Sequence, residues 1–357
     1  MISKPNIIFS IFLIFNPFRL HSEINSVSHG WGLFNRVSDS RITSLSFSTI
    51  AYPIKSSGIS LVNPALSSVY NEKIGLTHQS RIAGMVNSEL ISFNKDISDS
   101  TWASIAILYE GVSGVPDTRN ALLDWGNDGV FGTFDPGENN GILDEGERLD
   151  ANKIRYFSQN QYGLFGAMSK AHKGWKLGLG IKLLFHTLDD NYAVGTGINF
   201  GAFRSFKNGI SLGVALYDAP SSGVLWDNGN IELTPSSFSV GIHHLLFIEK
   251  YQIAINPVYR VDIMSKERTI DSYLLLDTIP IEFSGGIETI YKRKIFARVG
   301  VYPSGTIATG LGIFWDNITI DYAYLIDNSI SAIDKNHLIT LSLSSDWIKN
   351  KVLNYIR

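Results

Sequence analysis

Apolar and polar side chains alternate with a period of two through most of this 357-residue chain. Between Trp175 and Phe185, every odd-numbered residue is large and apolar, whereas the even-numbered ones are glycine, lysine or leucine. Successive side chains of a β-strand point to opposite faces, so the pattern predicts strands that separate two different environments. The same alternation covers residues 210–218, 238–246, 251–262, 283–291, 295–302, 307–315, 318–326 and 338–343.

The predicted strands are long for a soluble sheet, at about 9 to 12 residues against a usual 5 to 6. A face of lysine, glutamine and arginine opposite a continuous apolar stripe implies a wet polar side, which in a membrane barrel is the lumen. Aromatic residues near strand ends are typical of membrane interfaces. We therefore predict an all-β fold, a transmembrane outer-membrane β-barrel in contact with outer-membrane lipid. The candidate interfacial aromatic residues are Tyr217, Trp226, Tyr251, Tyr259, Tyr291, Tyr302, Trp315, Tyr322 and Tyr324.

The sequence divides into four predicted regions. Residues 1–22 combine Lys4 with a short apolar core, as in a signal peptide, although a buried strand or an uncleaved anchor is the alternative. Residues 23–72 do not alternate and are predicted to form a small N-terminal plug or lead-in segment. The barrel is expected at 73–345, with an acidic insertion at 113–153 and a C-terminal tail at 346–357. The length left for strands favours about 12 to 16, and we predict about 14 antiparallel strands, since single-chain bacterial barrels have even numbers.

Composition excludes several classes of function. The 30 Lys and Arg against 33 Asp and Glu give a net charge of −3, so the basic field that attracts nucleic acid is absent. The absence of cysteine excludes disulfides, thiolate metal sites and a cysteine nucleophile. No Ser/His/Asp arrangement follows from the spacing of these residues, and we predict that the protein is not an enzyme.

The segment 38–70 interrupts the alternation before the first predicted barrel strand. Within it, Asn63-Pro64-Ala65-Leu66 has the chemistry of a short helix start, with Asn63 as the capping residue and Pro64 at the first helical position. Such a segment can fold back into a barrel lumen. We therefore treat Asn63, Pro64, Ala65 and Leu66 as a candidate plug motif.

Two further stretches carry a resemblance to a known family. Arg41, Ser44 and Leu45 precede the plug motif, and residues 321–324 are followed by His337 and by the Leu-Ser-Leu-Ser stretch at 341–344. Together with the plug motif, this arrangement resembles PorV/PorQ-type proteins, which belong to the wider FadL-like group of outer-membrane barrels. The resemblance covers most of residues 28–345. It implies location in the outer membrane of a Gram-negative-type bacterium.

Three functions remain open at this stage. Resemblance to PorV implies a component of type IX protein secretion that binds exported cargo proteins or hands them to other secretion components. Resemblance to the FadL-like group implies a channel for hydrophobic small molecules, with the plug as its gate. An outer-membrane hydrolase would have to use acidic residues with His172 or His186, and we consider it the weakest alternative. Because the predicted lumen positions are mostly polar, the secretion function is favoured.

The second interruption, Asp124–Asp150, contains eight acidic residues and one basic residue, a net charge of −7. The units 124–135 and 136–147 both have glycine at position 6 and an acid at position 12, which resembles the spacing of a Ca²⁺-binding loop. Neither unit has a complete ligand set, and a solvated acidic loop is the alternative. We expect the loop to bind Ca²⁺ through candidate ligands Asp124, Asp128, Asp135, Glu138, Asn140, Asp144 and Glu147.

Overall fold

The computed structural model describes residues 24–25, 32–68, 73–264, 274–276, 279–326 and 336–356. The predicted signal peptide at 1–22 lies outside these residues. The described chain forms a closed barrel of fourteen antiparallel strands, which confirms the predicted fold class. The strands are β1 Lys73–Arg81, β2 Val86–Ser98, β3 Thr101–Asp117, β4 Arg155–His172, β5 Trp175–Leu188, β6 Asn191–Ser205, β7 Ile210–Trp226, β8 Ile231–His244, β9 Ile253–Ile263, β10 Ile279–Tyr291, β11 Ile295–Val301, β12 Ile307–Trp315, β13 Ile318–Ile326 and β14 Asn336–Ser344.

Each strand pairs with the next along the chain, and β14 closes the barrel on β1, with Leu341 opposite Leu76. Closure satisfies the backbone hydrogen bonds of every spanning strand, as a bilayer requires. The last strand leads into the helix α3, Ser345–Ile356, within the predicted C-terminal tail. Among the described residues, no helix is both long and apolar enough to cross a bilayer.

The outer wall of the barrel carries the apolar stripe that the alternation predicts. On β5, the side chains of Leu177, Leu179, Ile181, Leu183 and Phe185 are all between 43% and 48% exposed. A continuous apolar outer surface of this kind contacts the hydrocarbon of a membrane. The protein is therefore an outer-membrane barrel.

Aromatic rings form a row on this outer wall near one end of the barrel. Tyr109, Tyr162, Phe185 and Tyr192 lie on four adjacent strands, with centroid separations of 5.2, 6.4 and 6.5 Å. Tyr251, Tyr259, Tyr291, Trp315 and Tyr322, all interfacial candidates, are exposed as expected.

Three other interfacial candidates point inward, and the prediction was wrong for them. The hydroxyl groups of Tyr217 and Tyr302 donate hydrogen bonds to backbone carbonyls of the N-terminal segment, and Trp226 lines an internal cavity. Alternation alone did not reveal that the barrel interior holds protein for these rings to contact.

Replacing Leu179 by arginine tests the inside/outside assignment. We expect the free energy of unfolding to fall by about 2 to 4 kcal/mol, because a cation would face hydrocarbon near the middle of the bilayer. The measurement is urea unfolding of the protein in lipid vesicles. The matched control is Leu143→Arg in the connection between β3 and β4, where the cation faces water. Equal free energies for the two variants would contradict the assignment.

The lengths of the connections orient the barrel. Three of the four two-residue turns between described strands, at 99–100, 173–174 and 316–317, lie at the end where β1 begins and β14 finishes, and the fourth, at 189–190, lies at the other end. The connection 118–154 lies at the opposite end. Outer-membrane barrels have short periplasmic turns and longer extracellular loops, so the acidic loop faces the outside of the cell.

Candidate functional site: a plugged lumen with an outer cavity

The N-terminal segment 32–68 folds as five short helical turns inside the barrel. These are the α-helices α1 Gly32–Arg36 and α2 Ser40–Thr43 and the 3₁₀ turns Thr49–Ala51, Ile59–Leu61 and Pro64–Ser68. We call residues 32–68 the plug. Most of its apolar side chains are buried, and Ile42, Leu45 and Ile50 are fully buried. Its side chains and backbone contact strands from β2 to β14, so the plug fills the lumen.

The candidate plug motif packs against the wall formed by β5 and β6. The side-chain oxygen of Asn63 accepts a hydrogen bond from the Ala65 N–H at 3.0 Å, which caps the turn Pro64–Ser68. The Asn63 amide donates to the carbonyls of Ile50 at 2.9 Å and Ala202 at 3.2 Å. Asn63 therefore joins two parts of the plug to strand β6.

Glycines in the wall allow this close approach. A Cβ atom at Gly178 would lie 2.2 Å from the Ala65 nitrogen, and one at Gly201 would lie 2.1 Å from the Asn63 side-chain oxygen. Neither position can accept a side chain without displacing the plug. Gly178 and Gly201 are thus places where the plug touches the wall. Comparable close approaches to the plug occur at Gly75, Gly213, Gly241, Gly300 and Gly310.

A buried ion-pair network attaches the plug to the opposite wall. Arg41 of the plug and Arg298 of β11 each lie 2.7 Å from the same oxygen of Glu288 on β10. Arg298 also contacts Asp321 of β13 at 2.7 Å, and the Tyr52 hydroxyl donates to Glu288. The two positive and two negative side chains are almost fully buried. Charges that far from water need their partners, so the network stabilises the plug in the position that closes the lumen.

Four contacts between small hydroxyl side chains attach the plug at other points of the wall. Each joins a plug residue to an inward-facing residue of a different strand, at oxygen–oxygen distances of 2.6 to 3.2 Å. Together with the ion pairs, these hydrogen bonds attach the plug to several strands around the barrel. The pairs are Ser40 with Thr340, Ser48 with Ser284, Ser57 with Ser92 and Ser67 with Ser104.

The polar inner face is dry where the plug covers it, contrary to the expectation of a wet lumen. Lys182 on β5 is 2% exposed, its ammonium group pairs with Asp218, and the Phe34 ring of the plug lies 5.6 Å away. Asp218 sits where the pairing of β7 with β8 shifts register, after Tyr217. The polar side chains of the wall therefore bind protein partners.

A cavity of about 450 Å³ lies above the plug at the extracellular end of the lumen. Arg36 of the plug and Arg81 of β1 both contact Glu110 of β3 on one side of it. On the other side, the His186 and Trp226 rings lie 5.0 Å apart, and the Trp226 indole donates to Glu232 at 2.8 Å. Apolar lining comes from Ile82, Val86, Val112 and Leu188.

The acidic candidates for calcium binding come together in one compact loop. Asp124 accepts hydrogen bonds from the backbone N–H groups of Asn140 at 3.2 Å and Gly141 at 2.7 Å, so the first unit supplies a carboxylate to the second. Within the first unit, one oxygen of Asp135 accepts from the Asp128 N–H at 2.9 Å, and its other oxygen is buried without a partner.

The remaining candidates also bind loop backbone. Glu138 accepts from two backbone N–H groups at 2.6 and 2.5 Å. Glu147 accepts from Gly126 at 2.8 Å and Asp144 at 2.9 Å, and the Asn140 amide donates to the Asp144 carboxylate at 2.6 Å. In the described part of the chain, no three His, Cys, Asp or Glu side chains converge as a metal site. Calcium binding by this loop stays a prediction.

The same loop presents apolar side chains to the outside. Five of them are more than half exposed, although the backbone around them is held by the hydrogen bonds just described. A loop of this charge needs no exposed phenylalanine for solubility, so these side chains form a candidate contact surface. They are Val130 at 55%, Phe131 at 67%, Phe134 at 89%, Ile142 at 65% and Leu143 at 57% exposed.

Solved structures share this architecture. The barrel aligns with a mutant of the TodX monoaromatic hydrocarbon channel at a TM-score of 0.52 and 11% identity, covering 86% of this chain and 99% of that one. The toluene transporter TodX of Pseudomonas putida aligns at 0.51 and 11% identity, over 85% and 96%. The chain has the fold of these channels. A Pseudomonas aeruginosa FadL homologue aligns at 0.47 and 11% identity, over 85% and 97%. No protein-family model and no curated protein matches the sequence.

Sequence reasoning missed most of the residues that build the cavity. The sequence connects His186 with the lumen face and with the weak hydrolase alternative, and it predicts that Trp226 lies at the membrane interface. Arg36 and Glu110 lie 74 positions apart, and no local spacing connects them. The detectable signal was the inward position of Gln161 and His186 on two consecutive strands.

Proposed function

We propose that this protein is a plugged, FadL-like outer-membrane channel for hydrophobic small molecules. The observation that carries the proposal is a fourteen-stranded barrel whose lumen is closed by residues 32–68 below a cavity open to the cell exterior. A general porin needs an open aqueous lumen, which this plug does not leave. A closed barrel with a partly apolar outer cavity suits solutes that bind before they cross.

The polar inner face no longer favours secretion over transport. At the level of sequence, a polar lumen argued against an apolar solute. In the structure, these positive charges form ion pairs with carboxylates, so they do not face a passing solute. The residues are Arg41, Lys182 and Arg298. The TodX structures, a monoaromatic hydrocarbon channel and a toluene transporter, support the proposal by analogy of fold.

The proposal is tested by the initial rate at which cells take up radiolabelled toluene. Cells that carry the barrel are expected to take it up faster than isogenic cells that lack it. Equal uptake rates in the two kinds of cell, when the barrel is shown to be present in the outer membrane of the first, would contradict the proposal.

Type IX secretion in the manner of PorV/PorQ is the second candidate. One observation favours it: the extracellular loop exposes Phe131 and Phe134 within a strongly acidic surface. Such a surface suits an exported protein with a basic and apolar face. Capture of exported cargo by the wild-type barrel, lost on Phe131→Ser with Phe134→Ser, would support this candidate.

We also propose that Ca²⁺ orders the acidic loop. The unpartnered buried oxygen of Asp135 and the density of carboxylates support this, because at a net charge of −7 the loop is under strong self-repulsion. The cation would have to replace some of the backbone hydrogen bonds that Glu138 and Glu147 accept.

Limited proteolysis of the purified barrel measures this effect. With calcium, we expect the rate of cleavage within 118–154 to fall at least several-fold relative to chelator, because each bound cation offsets two of the loop's negative charges. Asp128→Ala with Glu147→Ala should abolish the difference, whereas the matched control Glu145→Ala, at an exposed carboxylate outside the candidate set, should retain it. Equal cleavage of the wild-type loop with calcium and with chelator would contradict the proposal.

A further inference from the structure

Three of the residues that line the outer cavity contain a buried polar atom that has no partner. Gln161 is 2% exposed and His186 is 6% exposed, and neither the Gln161 Oε1 atom nor the His186 Nδ1 atom makes a hydrogen bond. The Arg81 Nε atom, at the same cavity, is also buried and unpaired. Buried polar atoms are normally hydrogen-bonded, so three unpaired atoms around one cavity indicate a ligand that supplies the partners.

Two of these groups lie side by side. Gln161 on β4 and His186 on β5 are direct cross-strand partners, and both side chains face the lumen. The other ring nitrogen of His186 lies 3.2 Å from the amide nitrogen of Gln159, which donates to it, so the proton is on Nδ1. Two residues that line the cavity therefore carry an unpaired acceptor, Gln161 Oε1, and an unpaired donor, His186 Nδ1–H, on adjacent strands. A hydroxyl group both donates and accepts, so its chemistry matches this pair.

The other residues that line the cavity indicate the charge, polarity and size of the ligand. Arg36 and Arg81 are balanced by Glu110 and Glu232, so the ionised side chains of the lining sum to no net charge. The Trp226 indole and neighbouring aliphatic side chains provide an apolar wall. A volume of about 450 Å³ is ample for a small ring compound.

We propose that the outer cavity binds an uncharged apolar ring that carries a hydroxyl group, a solute of the phenol class. The ring packs against Trp226, while its hydroxyl donates to Gln161 Oε1 and accepts from His186 Nδ1–H. The inference rests on the proposed channel function, because it names the solute class that the channel receives. It adds that selection occurs by hydrogen bonding at the outer end of the lumen.

Fluorine NMR titration of the full-length barrel in detergent tests this site with isosteric probes. We expect 4-fluorophenol to bind about tenfold more tightly than 4-fluorotoluene, because the net contribution of one hydrogen bond corresponds to about a tenfold change in affinity. The signal from protein-free micelles is subtracted. Gln161→Leu keeps the side-chain volume but removes the acceptor. The substitution should weaken the binding of 4-fluorophenol about tenfold and leave the affinity for 4-fluorotoluene unchanged. His186→Phe should act in the same direction while retaining a ring beside Trp226.

Ser169→Ala is the matched control, because it removes another unpartnered buried hydroxyl from strand β4 at the periplasmic end. It should leave both affinities unchanged. Equal affinity for the two fluorinated rings, or no effect of Gln161→Leu, would show that water fills the cavity and would overturn the inference. Equally tight binding of 2-fluoro-2-deoxyglucose would overturn the requirement for an apolar ring. Toluene uptake could still occur in each of these cases, so the channel proposal stands or falls separately.

Discussion

Replacing Glu288 by leucine is expected to lower the free energy of unfolding by about 3 to 5 kcal/mol. Glu288 is 0% exposed and accepts from Arg41, Arg298 and Tyr52. Without it, Arg298 keeps Asp321, but the Arg41 guanidinium loses its carboxylate while it is only 4% exposed. A buried charge without its partner keeps the cost of desolvation and loses the attraction that offset it.

Urea unfolding in lipid vesicles measures the effect. The matched control is Glu249→Leu, which removes a carboxylate from an exposed turn and should change the free energy by no more than about 0.5 kcal/mol. The double variant Arg41→Leu with Glu288→Leu should be less destabilised than Glu288→Leu alone, since no lone charge remains at the plug. If Glu288→Leu were as stable as the Glu249→Leu control, that result would contradict the described role of the network.

The barrel itself could be predicted from the sequence because the bilayer imposes a simple rule. Each spanning strand must be apolar on one face along its whole length, as the segment from Leu177 to Phe185 is. The same alternation recurs in many segments of the chain, so the pattern can be recognised in the sequence. The chain length and the thickness of the hydrocarbon layer limit the number of strands to about 12 to 16, and the predicted 14 lies within that range. The plug motif was recognisable because Asn63 and Pro64 carry local helix-start chemistry.

The interior could not be predicted, because its contacts join distant parts of the chain. Arg41 and Glu288 are 247 positions apart, and Lys182 pairs with Asp218 where the register of β7 shifts after residue 217, a shift that the alternation does not reveal. An inward-facing lysine has the same alternating pattern whether it faces water or a carboxylate. The expectation of a wet lumen failed for this reason.

Aromatic residues and glycines posed the same difficulty. Tyr217 and Tyr302 stand near strand ends, as interfacial aromatics do, yet their hydroxyl groups bind plug carbonyls. Gly178 indicates close packing, but only the folded chain shows that the Pro64–Ala65 peptide lies against it.

A reversible cross-link between plug and wall can test the transport account in a chain that has no cysteine. The hydroxyl oxygens of Ser57 in the plug and Ser92 in β2 are 2.6 Å apart, so Ser57→Cys with Ser92→Cys places two sulfur atoms within bonding reach. Oxidation then fixes the plug to the barrel, and reductant releases it. The single variant Ser57→Cys, treated in the same way, controls for effects of the reagents.

The most direct measurement is the initial rate of toluene uptake by cells that carry this double variant, with oxidant and then with reductant. The account predicts uptake well above that of cells without the barrel when the plug is free. Uptake should fall to the level of those cells when the plug is cross-linked and should recover on reduction. Uptake that never exceeds that of cells without the barrel, in either condition, would contradict the claim that this protein is a channel.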